Sequence, residues 1–249
     1  MTSKKPIIII GESILELKSG KYIFEEIKNF LKNNNFIKKD WNALNFLPQN
    51  ASTVGLIDLK ILPKEDEENY SFFQKLNDNK FKLLFLLGSD NLEIKKNNEF
   101  IIYQGSHGDR GAHRADLILP SASYTEESGL FVNLEGRVQL AHRANFAPGD
   151  AKENWAILRA LSNELDKRLP YDNLTELREV LFEKFGHLKH IGLVAEKPFD
   201  TVSKVKLNNN NFKNIINDFY LTNPIARASE VMAELSSITG SKEINVAAE

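Results

Sequence analysis

The sequence predicts an α/β protein, specifically part of a doubly wound domain in which helices flank a parallel sheet. Three short apolar runs, at residues 83–87, 100–103 and 116–119, are each followed within two residues by Gly or Pro and are separated by polar loops. This pattern is typical of buried parallel strands that end at one edge of a sheet. Segments with helical spacing of apolar residues lie on either side, and α/β folds bind ligands at the carboxyl edge of such a sheet.

The first strand and helix are predicted near the amino terminus. Four consecutive isoleucines at residues 7–10, between Pro6 and Gly11, favour a strand covered on both faces. Apolar residues then recur at steps of three and four, which predicts a helix over residues 22–32.

The elements that follow the three central strands are predicted from the Gly, Asp and Asn residues that begin, interrupt or end them. Gly136 interrupts an apolar segment at 130–140, which indicates a strand with a turn or bulge. Asp150 is predicted to be the N-cap of a helix of about four turns. Asn173 is predicted to start another helix, which ends at Gly186.

The carboxyl-terminal part of the sequence predicts a separate region. Residues 197–214 are polar and rich in asparagine, which is typical of a linker. An amphipathic helix over about residues 224–236 follows it. We therefore predict an α/β domain at 1–196 and a linker with a tail helix at 197–249.

Composition excludes several classes of function. The 249 residues carry a formal net charge of −2, so no charge excess favours a nucleic-acid partner. No apolar stretch approaches the roughly 20 residues that cross a bilayer, and we expect no membrane span. The chain has no cysteine, which excludes disulfides, thiolate zinc sites and cysteine-ligated iron–sulfur clusters within it.

The residue spacing in this sequence does not match the familiar phosphate-binding and metal-binding motifs. Gly105, Gly108 and Gly111 follow a strand, but their spacing differs from that of the dinucleotide fingerprint, so we expect a loop that needs several positive φ angles. His107 and His113 lie in the same loop, yet with Asp109 they match no known metal-ligand spacing. Hydrogen bonding at the surface is the expected role of these three side chains.

Two other groups of titratable residues have simple structural interpretations. Glu126 and Glu127 are adjacent and therefore point in different directions, which makes them a poor acid/base pair. A solvated role, or one at a helix amino terminus, is expected for them. His187 and His190 straddle a predicted helix end, where hydrogen bonding is expected rather than metal binding.

A continuous central block carries a resemblance to a known family. It contains Ala-Asp-Leu-Ile-Leu-Pro at 115–120, then Tyr-Thr-Glu at 124–126, and Asn-Leu-Glu-Gly-Arg-Val-Gln at 133–139. This order resembles the molybdopterin-oxidoreductase type of α/β domain. It is more closely similar to the C-terminal part of the 75 kDa or G-type iron–sulfur subunits of respiratory complex I, NADH:quinone oxidoreductase.

Further motifs extend the resemblance along the chain. Trp155 with Arg159 is similar to the next helix of those subunits, and residues 218–232, with Tyr220, Arg227 and Met232, resemble the tail of their mitochondrial and alphaproteobacterial forms. The resemblance implies a partial molybdopterin-oxidoreductase-like domain and docking by those three tail residues.

Two features of the family are missing from this sequence. Complex I subunits of this type carry cysteine-rich domains in their amino-terminal half, and true molybdenum enzymes supply a metal ligand from an earlier part of the domain. The resemblance therefore implies half of a split subunit, without a cofactor, whose iron–sulfur clusters lie on a partner. A sheet built from the last strands alone would also leave an apolar face uncovered.

We therefore expect a structural, non-redox fragment of the peripheral arm of complex I. Its expected partners are the amino-terminal iron–sulfur half and other peripheral-arm subunits. The expected location is the matrix side of the mitochondrial inner membrane, or the cytoplasmic face in a bacterium. Charged and amide groups are expected to pair at the carboxyl edge of the sheet: Asp109, Arg110, Arg114, Asp116, Asn133, Glu135 and Arg137.

An alternative function belongs to a different class. The chain would be a cofactor-binding fragment of a molybdopterin-dependent oxidoreductase, in which Asn133, Glu135 and Arg137 line a pterin or nucleotide pocket. Two features argue against this alternative: the tail, which resembles that of mitochondrial complex I subunits, and the missing metal-ligand region.

Overall fold

The structure is a computed structural model of the 249-residue chain. It describes residues 3–15, 17, 19–38, 40–61, 72–89, 91–92, 97–194, 207 and 218–240. The chain forms two compact units. The first contains residues 1–61, 130–140 and 185–215, and the second contains residues 62–129, 141–184 and 216–249.

Helices and short strands alternate along much of the described part of the chain. In chain order they are β1 (Ile8–Gly11), α1 (Glu12–Leu15), α2 (Gly20–Asn33), β2 (Leu44–Leu47), α3 (Thr53–Asp58), α4 (Phe72–Asn77), β3 (Leu83–Leu87), β4 (Phe100–Gly105), α5 (Arg110–His113), β5 (Leu117–Pro120), β6 (Gly129–Val132), β7 (Val138–Ala141), α6 (Asn154–Glu164), α7 (Leu174–Lys184), α8 (Pro224–Arg227) and α9 (Glu230–Gly240). A 3-10 turn at Gly186–Lys189 follows α7.

The first unit contains a two-stranded parallel sheet and a hairpin. Strands β1 and β2 pair in parallel, and the predicted helix over residues 22–32 is confirmed as α2. Strands β6 and β7 form the hairpin, which turns through Gly136 at a φ of +82°. Residues 192–194 run beside β7, where the Gly192 N–H donates to the Val138 carbonyl at 2.7 Å. The predicted turn at Gly136 is thus confirmed.

The second unit contains a three-stranded parallel sheet in the order β3-β4-β5. The strands coincide with the three predicted apolar runs, so the α/β class and the parallel pairing are confirmed. One face of this sheet forms a core with α4, the loop before β3 and α5. Its buried members are Leu76, Leu84, Leu86, Ile101 and Tyr103.

The opposite face of this sheet is apolar and largely open to solvent. Side chains alternate between the faces of a strand, and Leu83 pairs with Phe100 while Ile102 pairs with Leu117. Leu83, Phe100 and Leu117 are 55%, 48% and 43% exposed. We call this surface, formed by Leu83, Phe85, Leu87, Phe100, Ile102 and Leu117, the open sheet face. The prediction of an uncovered apolar face is confirmed.

The prediction that Asp150 is the N-cap of the helix after β7 is wrong. Helix α6 begins at Asn154, with Glu153 in the N-cap position, and its 11 residues make three turns instead of four. The reason is that residue 152 is held extended beside the end of β5. The Lys152 N–H donates to the Pro120 carbonyl at 3.3 Å, and the Lys152 carbonyl accepts from Ala122 at 2.8 Å. A helix cannot include a residue that pairs in this way.

The predicted start of α7 is confirmed. The Asn173 side chain accepts a hydrogen bond from the Glu176 N–H at 3.0 Å, and its amide donates to the Glu176 carboxylate at 2.7 Å. The first of these bonds satisfies a backbone donor that the first turn of a helix leaves unpaired.

The predicted single tail helix is two helices, α8 and α9. Asn223 caps α8, because its side chain accepts from the Ala226 N–H at 2.9 Å, and Pro224 occupies the first turn. Ser229 separates the helices, and its hydroxyl accepts from the Met232 N–H at 3.4 Å. A capping serine between the two segments explains the break.

Two expectations concern residues that the structure describes little or not at all. The predicted linker at 197–214 lies outside the described residues except for residue 207, and so does the predicted domain boundary at 196. Both remain predictions. Across the residues that are described, no helix combines the length and the apolar character that spanning a membrane requires.

Candidate functional site

Tyr103 organises the loop at the carboxyl end of β4. Its ring is buried, with 1% exposure, and its hydroxyl donates to the His107 carbonyl at 2.9 Å. A Cβ atom at Gly105 would lie 2.4 Å from the Tyr103 Cζ, and one at Gly111 would lie 3.0 Å from the ring. These two glycines are therefore needed so that the backbone can approach the ring closely.

The expectation of several positive φ angles in this loop is wrong. The glycines with positive φ in the described residues are Gly88, Gly136, Gly149 and Gly192. Steric contact with Tyr103 explains Gly105, and contact with both Tyr103 and the Ser89 carbonyl oxygen explains Gly111. The sequence feature that indicates the contact at Gly105 is an aromatic residue two positions before a glycine in an apolar strand.

Asp109 joins the loop to the tail. One carboxylate oxygen accepts from the Arg110 N–H at 2.8 Å and caps α5, and the other accepts from the Arg227 guanidinium. The two side chains are 15% and 16% exposed, so water screens this ion pair only in part. The sequence predicted a role for each of the two residues but not their pairing.

Asp218 fixes the segment before α8. Its carboxylate accepts from the N–H groups of Tyr220 and Leu221, at 2.6 and 2.9 Å, and from the Ser236 hydroxyl of α9. The hydrogen bond from Ser236, followed by the two backbone donors, holds the pKa of Asp218 below its ordinary value. Arg227, Tyr220 and Met232 therefore all lie in a tail segment with defined contacts inside the second unit.

The other predicted residues of this loop lie at different places. Asp116 precedes β5 and accepts from the Ile101 N–H at 2.8 Å, near the amino end of β4. It was expected at the carboxyl edge and lies at the opposite one. Arg110 is in the first turn of α5, and Arg114 is the exposed residue that follows that helix.

A chain of polar contacts that begins at the buried Gln104 connects β4 with the start of α6. The Gln104 amide nitrogen donates to the Asn154 side-chain oxygen at 2.8 Å, and the Asn154 side chain donates to Glu127 at 3.0 Å. Glu127 also accepts from the Asn154 N–H at 3.1 Å. Glu127 thus has the expected role at a helix amino terminus, where a carboxylate is favoured by the helix dipole. Glu126 instead accepts from the Ser123 N–H at 3.0 Å.

Arg159 makes the most extensive set of side-chain contacts in α6. Its guanidinium donates to the Tyr171 carbonyl at 2.6 Å, to Asn163 at 2.8 Å and to Asp172 at 2.5 Å. The bond from Arg159 holds the pKa of Asp172 below its ordinary value, whereas burial raises the pKa of Tyr171. These bonds tie α6 to the segment before α7.

The three predicted residues of the hairpin form a local structure in the first unit. The Asn133 side-chain oxygen accepts from the N–H groups of Glu135 and Arg137, at 3.0 and 2.9 Å. The Arg137 guanidinium donates to the Gly192 carbonyl at 2.6 Å and to Glu135 at 3.3 Å. The Arg137 side chain is 41% exposed. That the seven predicted residues act as one network remains a prediction.

A cavity of about 400 Å³ lies beside this hairpin in the first unit. Leu47, Asn50, Asn133 and Leu134 are among the residues that line it. The alternative function requires Asn133, Glu135 and Arg137 to converge on a pterin, but the Arg137 guanidinium is engaged by Gly192 and Glu135. That these three residues bind a pterin remains a prediction.

Two of the five histidines, His107 and His187, have polar partners within hydrogen-bond distance. The Ser106 hydroxyl lies 2.9 Å from His107 Nδ1, and His187 Nε2 lies 3.2 Å from the Asp58 carboxylate. Within the part of the chain that the structure describes, no group of three or more His, Cys, Asp or Glu residues could hold a metal ion.

Comparison with known proteins decides the family. Residues 1–164 match the model of the molybdopterin oxidoreductase family, which is more than half of the chain. The chain belongs to this family. Residues 189–235 match a second model, which describes the C-terminal region of the G subunit of NADH-ubiquinone oxidoreductase.

Three relatives show which members of the family the chain is similar to. It is 41% identical to the NADH-ubiquinone oxidoreductase 75 kDa subunit of Reclinomonas americana, over 96% of this chain and 35% of the relative. It is 36% identical to the mitochondrial NADH-ubiquinone oxidoreductase 78 kDa subunit of Neurospora crassa, over 95% of this chain and 32% of the relative. It is 37% identical to the G subunit of NADH-quinone oxidoreductase of Rickettsia bellii, over 93% of this chain and 33% of the relative. The chain therefore spans about a third of the length of these relatives, and the resemblance drawn from its motifs is confirmed.

Proposed function

We propose that the chain is a structural, non-redox C-terminal portion of the largest peripheral-arm subunit of complex I, NADH:quinone oxidoreductase. The observation that carries this proposal is the order of the two family matches. A molybdopterin-oxidoreductase match over residues 1–164 is followed, over residues 189–235, by a match to the C-terminal region of the G subunit. In the proposed role the chain supports NADH-to-ubiquinone electron transfer by the respiratory-chain assembly.

The chemistry of the side chains supports a structural role. Iron–sulfur clusters are held by cysteine thiolates, and the chain contains no cysteine. The charged residues of the candidate site bind one another or backbone groups, as Asp109 binds Arg227 and Arg137 binds Gly192. Such contacts position loops, whereas electron transfer needs a redox centre that the protein holds.

The proposed partners and location follow from the relatives. The partner would be the iron–sulfur-bearing portion that makes up the rest of the subunit, together with other peripheral-arm subunits. The assembly would lie at the mitochondrial inner membrane, with this chain on the matrix side, or at the cytoplasmic face of a bacterial membrane. Tyr220, Arg227 and Met232 are proposed to help dock the tail in that assembly.

Purification through an affinity tag on this chain, from respiratory membranes of its own organism, tests the proposal. We expect the tag to recover an assembly that contains iron and oxidises NADH with a quinone as acceptor. Metal analysis of the same sample should find no stoichiometric molybdenum or tungsten. Either of those metals at one atom per chain, or recovery of the chain as a free monomer on size exclusion, would contradict the proposal.

A further inference from the structure

The open sheet face has the composition of a buried surface. The eight residues that the β3-β4-β5 register places on this side are apolar or neutral, and none is charged: Leu83, Phe85, Leu87, Phe100, Ile102, Gln104, Leu117 and Leu119. Parallel sheets occur almost only with both faces covered, because their strands are apolar on both sides. The helices of this chain that contribute to the sheet's buried core, α4 and α5, lie on the opposite face.

On the side of the open sheet face, this chain covers the sheet at one position, Gln104 near the carboxyl end of β4. Gln104 is fully buried, and its amide bonds to Asn154 at the start of α6. The exposed residues of the open sheet face are Leu83 and Leu87 at the two ends of β3, Phe100 at the start of β4 and Leu117 at the start of β5. In the register Leu83 pairs with Phe100, whereas Leu117 pairs with Ile102. Phe85 and Ile102, which are half-buried and pair with each other, connect these residues into one patch.

The dimensions of this patch match one helix. Three strands about 4.8 Å apart span about 10 Å, which is close to the diameter of a helix with its side chains. Strand β3 has five residues, and at about 3.3 Å per residue it is about 17 Å long, the length of about three helical turns.

We propose that the open sheet face is the docking site for an amphipathic helix from the part of the subunit that this chain does not span. This inference rests on the proposed function. The relatives are about three times as long as the matched region, so they contain ample chain to supply such a helix. A second copy of this chain is a poorer occupant, because it would stack one parallel sheet directly on another, whereas parallel sheets pack against helices.

Site-specific photocrosslinking in the tagged assembly tests the docking site. Benzoylphenylalanine replaces Phe100 on the open sheet face in one sample and Phe146 in a matched control. Phe146 is also an exposed phenylalanine of the second unit, at 72% exposure, but it lies in the loop that precedes α6. Mass spectrometry then identifies the crosslinked peptides.

We expect the probe at Phe100 to crosslink to a helical segment of the rest of the subunit, with at least fivefold higher yield than the probe at Phe146. Equal yields, or a crosslink from Phe100 to a second copy or to a different subunit, would overturn the docking site. If the tagged wild-type chain recovers no other part of the subunit, the proposed function itself fails. The two failures are thus distinguishable in one preparation.

Charge substitutions provide a second measurement. Phe100→Glu should reduce recovery of the rest of the subunit at least tenfold, because a carboxylate cannot be buried against an apolar helix without a partner. Phe146→Glu should leave recovery within twofold of wild type. Wild-type recovery with Phe100→Glu would contradict the inference.

Discussion

The carboxyl edge of the β3-β4-β5 sheet and the β6–β7 hairpin are held together in different ways. At the sheet edge, Asp109 binds Arg227 across 118 positions of sequence, and both side chains are mostly buried. In the hairpin, Asn133 binds groups two and four positions away, and Arg137 is substantially exposed. The first region therefore depends on a mostly buried ion pair between distant residues, whereas the second combines the conformation of one turn with an exposed hydrogen bond from Arg137 to the Gly192 carbonyl.

The largest effect expected from this difference is that of Gly105→Ala. The new methyl group would collide with the buried Tyr103 ring, which cannot move without breaking the hydroxyl bond to His107. Overpacking of this kind costs about 2–3 kcal/mol of the free energy of unfolding. Denaturant unfolding measures it, with Gly108→Ala as the control, because no atom lies within 4 Å of a Cβ at that position. Equal stabilities of the two variants would mean that Tyr103 does not restrict the loop.

Arg227→Ala should have the next largest effect. It leaves the partly buried Asp109 carboxylate without its cation, which we expect to cost about 2 kcal/mol. Urea unfolding followed by circular dichroism measures the loss. Arg137→Ala is the matched control from the hairpin. It removes an ion pair with Glu135 and a hydrogen bond to the Gly192 carbonyl, both at an exposed side chain, which predicts a smaller loss of about 1 kcal/mol. A larger loss for Arg137→Ala would reverse the contrast between the two regions.

Ser236→Ala should have the smallest effect, one that depends on pH. Removing the Ser236 hydroxyl should raise the pKa of Asp218 towards its ordinary value of 3.8. A lowered pKa in the folded state adds stability above the pKa of the unfolded chain, and this stability is lost as pH falls through the folded value. The stability difference between wild type and variant should therefore shrink below about pH 4.

Titration of the Asp218 carboxyl carbon by NMR measures this pKa directly. Ser237→Ala is the control, because the Ser237 hydroxyl donates to the Glu234 carbonyl. An unchanged Asp218 pKa in Ser236→Ala would assign the shift to the two backbone donors.

The same contrast explains what the sequence could predict. The three apolar runs predicted the strands and their parallel pairing, and Gly136 marked the hairpin turn, because strand patterns and turns depend on neighbouring residues. The Asp109–Arg227 pair could not be predicted, since nothing in either local sequence specifies a partner 118 residues away. Asp150 failed as an N-cap because β5 holds residue 152 extended, a contact that only the fold creates.

The separation of Asp109 from Arg227 has a consequence for biosynthesis. At about 5–20 residues per second, a ribosome needs about 6–24 s to add the 118 residues between them. Throughout that interval the nascent loop displays its carboxylate without the guanidinium that later neutralises it. Attachment of the tail is therefore a late event in the maturation of the newly made polypeptide.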